Sequence, residues 1–174
     1  MSKNVSHTRL VHTVLAALFA ALTYVGTVFI QFPIAIGYVN LGDCFVLLGG
    51  FLLGPVYGAV AGGLGAMLGD LTLGYAQYAP VTLLIKLAMP LVVAGFEHMA
   101  AGRSRGAKLA LRIGGGALAE VAMVVGYFLY EIVLYEFGGA LVSVPFNAAQ
   151  GAVNLLLALL LLPLLSRIQK MTVK

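Results

Sequence analysis

Leu41–Leu73 reads LGDCFVLLGGFLLGPVYGAVAGGLGAMLGDLTL, a long apolar run whose only charged residues are Asp43 and Asp70. A helix that spans a bilayer needs about 20 apolar residues, so the run is too long for one straight crossing. Gly54-Pro55 interrupts it near the middle. Proline lacks the N–H that continues a helix and disfavours helical geometry in the residue before it. The run is therefore one kinked helix or two short ones, and the distribution of positive charge decides between them.

Of the ten lysines and arginines, all but Lys86 fall in three groups. Lys3 and Arg9 precede the first apolar run, Arg103, Arg105, Lys108 and Arg112 lie mid-chain, and Arg167, Lys170 and Lys174 follow the last run. Loops rich in Lys and Arg stay cytoplasmic, so an even number of crossings separates each pair of groups. One kinked helix puts an odd number of crossings before Arg103, whereas a split at Gly54-Pro55 makes the number even. The expectation is an all-α integral membrane bundle of six transmembrane helices with both termini cytoplasmic. It forms a single membrane domain over residues 1–174, with helices at about 10–31, 41–53, 55–71, 80–101, 108–136 and 141–166. The first run resembles a signal peptide in its basic start, but it reaches Phe32 and no small-residue cleavage segment follows, so it reads as a first membrane helix.

Composition agrees with this reading. The 174 residues are 61% hydrophobic and 9% charged, and mean hydropathy is +1.04. A soluble domain carries roughly 45–50% apolar and about 25% charged residues. A soluble enzyme, a disordered tail and a secreted disulfide scaffold are excluded. Cys44, the only cysteine, cannot form an intramolecular disulfide.

In this topology the segments Gln31–Asn40, Asp70–Ala79 and Glu136–Val144 face outside. Leu-Gly-Asp occurs twice, at 41–43 and 68–70, and the split places both aspartates at the same membrane face. Asn147, Gln150 and Asn154 share one face of the last helix through spacings of three and four. Polar groups are costly in lipid, so this face looks into the bundle, as interhelical hydrogen bonding or as the lining of a ligand site. Lys86 lies about two turns inside its helix, where a lysine marks a functional site or snorkels to the interface. Glu131 poses the same choice, and Glu120 lies deeper, pairing with a basic residue or capping a polar helix contact.

Six of the eight tyrosines fall in the outer half: Tyr24, Tyr38, Tyr75, Tyr78, Tyr130 and Tyr135. They form an interfacial aromatic belt or, with Asn40, Asp43 and Gln77, the wall of a pocket for a flat heterocycle. The first helix carries overlapping small-residue pairs, Ala16/Ala20 and Ala17/Ala21, which allow close approach of another helix, inside the bundle or from a partner. His7, His12 and His98 are scattered without metal-ligand spacing, and no cofactor or metal is expected. Gly102–Lys108 (GRSRGAK) lacks the spacing of a phosphate loop and reads as a flexible basic cytoplasmic loop. No nucleophile–base pair or ATP-binding motif is visible, and no nucleic-acid partner is expected.

Six short helices, the alanine pairs, and YVNLGD together with LLGPVYGAVAGGLGAMLGDLTLGYAQYAPVTLLIK resemble the S component of an energy-coupling factor (ECF) vitamin transporter. The resemblance is strongest over Gly37–Lys86. It is closest to the subgroup for hydroxymethylpyrimidine or vitamin B6 compounds, which is related to riboflavin-type members. It implies a subunit in a prokaryotic cell membrane that binds a small vitamin from outside and associates with a transmembrane T subunit and two ATPase subunits. It implies that Ala16, Ala17, Ala20 and Ala21 dock on the T subunit. The start of the chain, Ser-Lys-Asn-Val-Ser at 2–6, lacks the histidine of metal-specific relatives. The expected substrate-binding residues are Tyr38, Asn40, Asp43, Tyr75, Gln77, Tyr78, Lys86, Tyr130, Glu131, Asn147, Gln150 and Asn154. Two other classes stay open at this point: a self-contained homo-oligomeric secondary transporter or channel, and a membrane-embedded enzyme.

Overall fold

A computed structural model describes the backbone of residues 2–172 and the side chains of residues 9–167. The side chains of residues 2–6, which include Lys3, and those of His7, Lys170 and Lys174 lie outside the described residues. The elements run α1 (Ser2–Val28), β1 (Gln31–Ile34), β2 (Gly37–Asn40), α2 (Gly42–Leu73), α3 (Ala79–Met99), α4 (Arg105–Leu141) and α5 (Val144–Thr172). Among the described residues five helices are long and apolar enough to cross a membrane.

The count of five against six turns on Gly54. Its backbone (φ 79, ψ −172) leaves the helical region inside α2. A positive φ is cheap for glycine and costly for any residue with a Cβ. Pro55 then starts the second arm, where its missing N–H is harmless. The arms fold back on each other, because a Cβ built on Gly58 would lie 2.6 Å from the Gly49 carbonyl oxygen. In a continuous helix residues nine apart are separated by about 13 Å. Only a reversal at Gly54 brings these two glycines together, and α2 is a helical hairpin.

This hairpin is the centre of the molecule, with α1 and α3 packed against it. Small residues let the backbones approach: a Cβ on Gly65 would meet the Ala20 carbonyl oxygen at 2.4 Å, and one on Gly50 the Cα of Pro90 at 2.9 Å. Val46, Leu47 and Leu48 from α2, Met89 and Val93 from α3, Met123 from α4 and Leu162 from α5 form the buried core. Leu84, Val133 and Leu160 are each more than 60% exposed on the outside of the bundle. An apolar circumference around a packed core is the arrangement a bilayer requires.

Several boundaries differ from the sequence expectation. The first helix stops at Val28, and the expected outer loop forms an antiparallel hairpin in which Gln31 pairs with Asn40 and Phe32 with Val39. Leu41 N–H closes this turn on the carbonyls of Gly26 and Ile30, each at 3.2 Å. The segment expected as a flexible basic loop, Gly102–Lys108, is helical from Arg105, because Ser104 caps α4 by accepting from Ala107 N–H at 3.4 Å. The basic cluster is also partly neutralised. Glu97 of α3 accepts from Arg112 Nε and Nη2, both at 2.7 Å, and lies 3.2 Å from Lys108 Nζ. This fork pins α3 to α4 at that end of the bundle. At the opposite end α4 continues past residue 136 to Leu141, interrupted at Glu136, whose φ of 60 is the only positive one outside glycine among the described residues.

Candidate functional site

At the end of the bundle that carries the β-hairpin, all the helices and the hairpin contribute to one cavity of about 520 Å³, including its mouth. Its wall comprises Thr27, Ile34, Gly37, Tyr38, Asn40, Ala66, Asp70, Tyr75, Tyr78, Thr82, Lys86, Tyr127, Glu131, Asn147 and Gln150.

The floor is a buried polar network. Lys86 of α3, 2% exposed, pairs with Asp43 at the start of α2, 1% exposed. Asp43 Oδ2 also accepts from Gln150 Nε2 at 2.6 Å, and the helix N-terminus adds partial positive charge beside this carboxylate. Lys86 Nζ lies 5.4 Å from the centroid of the Tyr127 ring, which adds a cation–π contact. The three amides of α5 divide their work. Asn154 Oδ1 accepts from Cys44 N–H at 2.8 Å, and its Nδ2 donates to the Asn40 carbonyl at 2.9 Å. Gln150 Oε1 accepts from Asn40 N–H at 2.8 Å. These two side chains therefore hold the junction of β2 and α2. Asn147 lines the cavity, and its amide has no hydrogen-bond partner among the described residues.

The upper wall is aromatic. Ring centroids lie 5.0 Å apart for Tyr38 and Tyr75, 6.2 Å for Tyr75 and Tyr78, 6.3 Å for Tyr78 and Tyr127, and 5.6 Å for Tyr78 and Tyr130. These tilted and edge-on pairs form a surface on which a flat ring can stack. Their hydroxyls are anchored. Tyr38 donates to Asp70, Tyr78 to Glu131 Oε1 at 3.2 Å and to the Ile36 carbonyl at 3.0 Å, and Tyr127 shares a 2.9 Å hydrogen bond with Thr82. Ser143 donates to the other oxygen of Glu131. Burial, and next the charge of Asp70, push the Tyr38 phenol above its ordinary value, so it remains a donor.

Of the twelve residues expected from sequence, Tyr38, Asn40, Tyr75, Tyr78, Lys86, Glu131, Asn147 and Gln150 lie on the cavity wall. Asp43 and Asn154 stand behind the wall and hold Lys86 and the β2–α2 junction. Gln77 is exposed, and its carbonyl accepts from Tyr130, whose ring packs edge-on against Tyr78 but is not itself part of the lining. Thr27, Ile34, Gly37, Ala66, Asp70, Thr82 and Tyr127 also line the cavity and are not among those twelve. Three of these were within reach of helical arithmetic, since residues four apart share a face. Thr82 precedes Lys86 by four, Tyr127 precedes Glu131 by four, and Ala66 precedes Asp70 by four. The repeated Leu-Gly-Asp points at Asp70 itself.

Glu120, 5% exposed, is buried against Gly151 with neither carboxyl oxygen hydrogen-bonded. The alanine pairs separate. Ala17 and Ala21 are exposed, while Ala16 and Ala20 are half-buried and pack against the core. Ala16, Ala17 and Ala20 line an apolar groove between α1 and the second arm of α2, with Val56, Val60 and Leu64 opposite.

The sequence model of the family described as "ECF-type riboflavin transporter, S component" matches residues 8–167. The chain is 31% identical over 156 residues to the "Thiamine precursor transporter HmpT" of Lactococcus lactis subsp. cremoris (strain MG1363), an alignment covering 88% of this chain and 86% of that one. It is 37% identical over 111 residues to a Pyrococcus woesei protein described as "Uncharacterized protein in gap 3'region", covering 64% of this chain and 70% of that one.

Proposed function

The chain belongs to the S-component family of ECF-type riboflavin transporters, and on that premise we propose that it is the substrate-binding subunit of an ATP-driven importer for a small heterocycle of the hydroxymethylpyrimidine type. The observation that carries this reading is the tyrosine-walled cavity with the Asn147 amide open to it. Such a site is largely apolar, with a few convergent polar groups that fix orientation. The similarity to a thiamine precursor transporter points to a pyrimidine. Neither the family description nor these two relatives names a vitamin B6 compound. Riboflavin is the second reading, favoured by the family description alone.

Calorimetric titration of the detergent-solubilised protein with hydroxymethylpyrimidine, pyridoxine and riboflavin tests the assignment. Hydroxymethylpyrimidine is expected to bind most tightly. Asn147→Ala is expected to weaken it roughly 5- to 150-fold, the range for one lost hydrogen bond to a buried group. Tightest binding of riboflavin would replace the substrate, and unchanged affinity in Asn147→Ala would move the site.

The proposal carries a topology and partners with it. The arms of α2 cross separately, giving six crossings with both termini cytoplasmic, as the three basic groups require. A T subunit docks along the groove beside Ala17, and two ATPase subunits supply the energy. Small residues on a lipid-facing helix allow close approach of a partner helix. Ala17→Trp fills the groove from an exposed position, so transport in cells should be lost while the purified subunit keeps its ligand affinity. Equal loss of both would assign the alanine to packing within the subunit.

A further inference from the structure

The cavity is unusual in its charge. Its charged wall residues are Asp70, Glu131 and Lys86, and the ammonium of Lys86 is already paired with Asp43 behind the wall. Neither wall carboxyl forms a salt bridge among the described residues, although the Lys86 charge acts on Asp70, and their hydrogen bonds come only from hydroxyl groups. They differ in what remains open. Glu131 accepts at both oxygens, from Tyr78 and Ser143. Asp70, 4% exposed, accepts from Tyr38 at Oδ1, and its Oδ2 is buried without a hydrogen-bond partner. The Thr82 hydroxyl lies beside Asp70 and lowers the cost of its charge, and it also shares a hydrogen bond with Tyr127 in which either oxygen can donate. A buried acceptor left unmade is costly and calls for a donor from the ligand.

We propose that Asp70 is the specificity-determining residue of this site, taking a hydrogen bond from the exocyclic amino group of an aminoheterocycle, and that the uncompensated carboxyls exclude the phosphorylated form. The proposal rests on the reading of the cavity as a pyrimidine site. One N–H of an amino group is usable here, because a carboxylate offers about four lone-pair positions and Tyr38 takes one of them. A carbonyl or phosphate oxygen in the same place turns an attraction into a repulsion between acceptors, and a dianionic ester finds no unpaired cation.

The test uses the full-length protein in detergent and three probes: 4-amino-5-hydroxymethyl-2-methylpyrimidine, its counterpart without the 4-amino group, and its phosphate ester. In the unsubstituted protein the amino compound is expected to bind at least about tenfold more tightly than the des-amino compound, as a donor to a charged acceptor should. The phosphate ester is expected to show no heat. In Asp70→Ala the preference for the amino compound should collapse towards parity, with the thermal unfolding midpoint measured to establish that the variant is folded. Equal affinity of the unsubstituted protein for the amino and des-amino compounds would overturn the role of Asp70 without needing the variant. A folded Asp70→Ala that retains the full preference would do the same. Tight binding of the ester would overturn the charge exclusion. Any of these leaves the pyrimidine reading standing, whereas binding of none of the three removes both.

Discussion

Lys86→Met is expected to destabilise the protein by about 3–5 kcal/mol, the usual cost of removing one partner of a buried ion pair. Asp43 is 1% exposed, and its carboxylate would keep only the 2.6 Å hydrogen bond from Gln150 and the field of the α2 N-terminus. Water cannot reach it to compensate. The damage should spread, because Asp43 sits in the turn that Asn40, Gln150 and Asn154 hold together. The double variant Lys86→Met with Asp43→Asn should regain most of the loss, since an amide at 43 still bonds to Gln150 and leaves no charge behind. Thermal unfolding of both variants in detergent measures this. A single variant as stable as the double one would show that Lys86 relieves no buried charge.

The second large effect is expected at Gly58. A Cβ there would lie 2.6 Å from the Gly49 carbonyl oxygen and 2.9 Å from the Gly50 nitrogen, both backbone atoms that cannot rotate away. Gly58→Leu should prevent the two arms of α2 from closing, and the protein should fail to accumulate in the folded state. Gly58→Ala should lose more stability than Gly54→Ala. The latter meets no atom within 4 Å but holds φ at 79 with ψ at −172, a region almost confined to glycine and a strain of roughly 1–3 kcal/mol for an L-residue. Gly95→Ala meets nothing within 4 Å in an ordinary helix and should be neutral or slightly stabilising, as alanine is the better helix former. The order Gly58, Gly54, Gly95, read from unfolding midpoints, checks the hairpin. Equal effects at Gly58 and Gly95 would contradict it.

Membrane residence and helical class are legible in the amino-acid sequence, because they follow from terms that act residue by residue. Backbone groups in lipid must be satisfied within their own segment, and a chain with 61% hydrophobic residues has no other route to a spanning fold. The break at Gly54-Pro55 is equally local, since one residue tolerates a positive φ and the next cannot continue a helix. The face shared by Asn147, Gln150 and Asn154 is a matter of helical period. What those amides do is not legible there. Asn154 and Gln150 bind the backbone of residues 40 and 44, more than a hundred positions away, while Asn147 is left to the cavity. The partner of Lys86 is likewise hidden in the sequence, although Asp43 stands out in it as a charge within an apolar run. The β-hairpin leaves little trace because Gln31–Asn40 carries only four-residue strands, held by Leu41 closing on Gly26 and Ile30. Sequence by itself therefore determined which residues are polar inside lipid and which helical face they share. Tertiary structure alone decided which of them satisfy one another, which atom is left buried without a partner, as Asp70 Oδ2 is, and which side chain is left to the cavity, as Asn147 is. Hydrogen bonds and ion pairs saturate: whether a group remains open depends on partners that only the packed chain brings within about 3 Å.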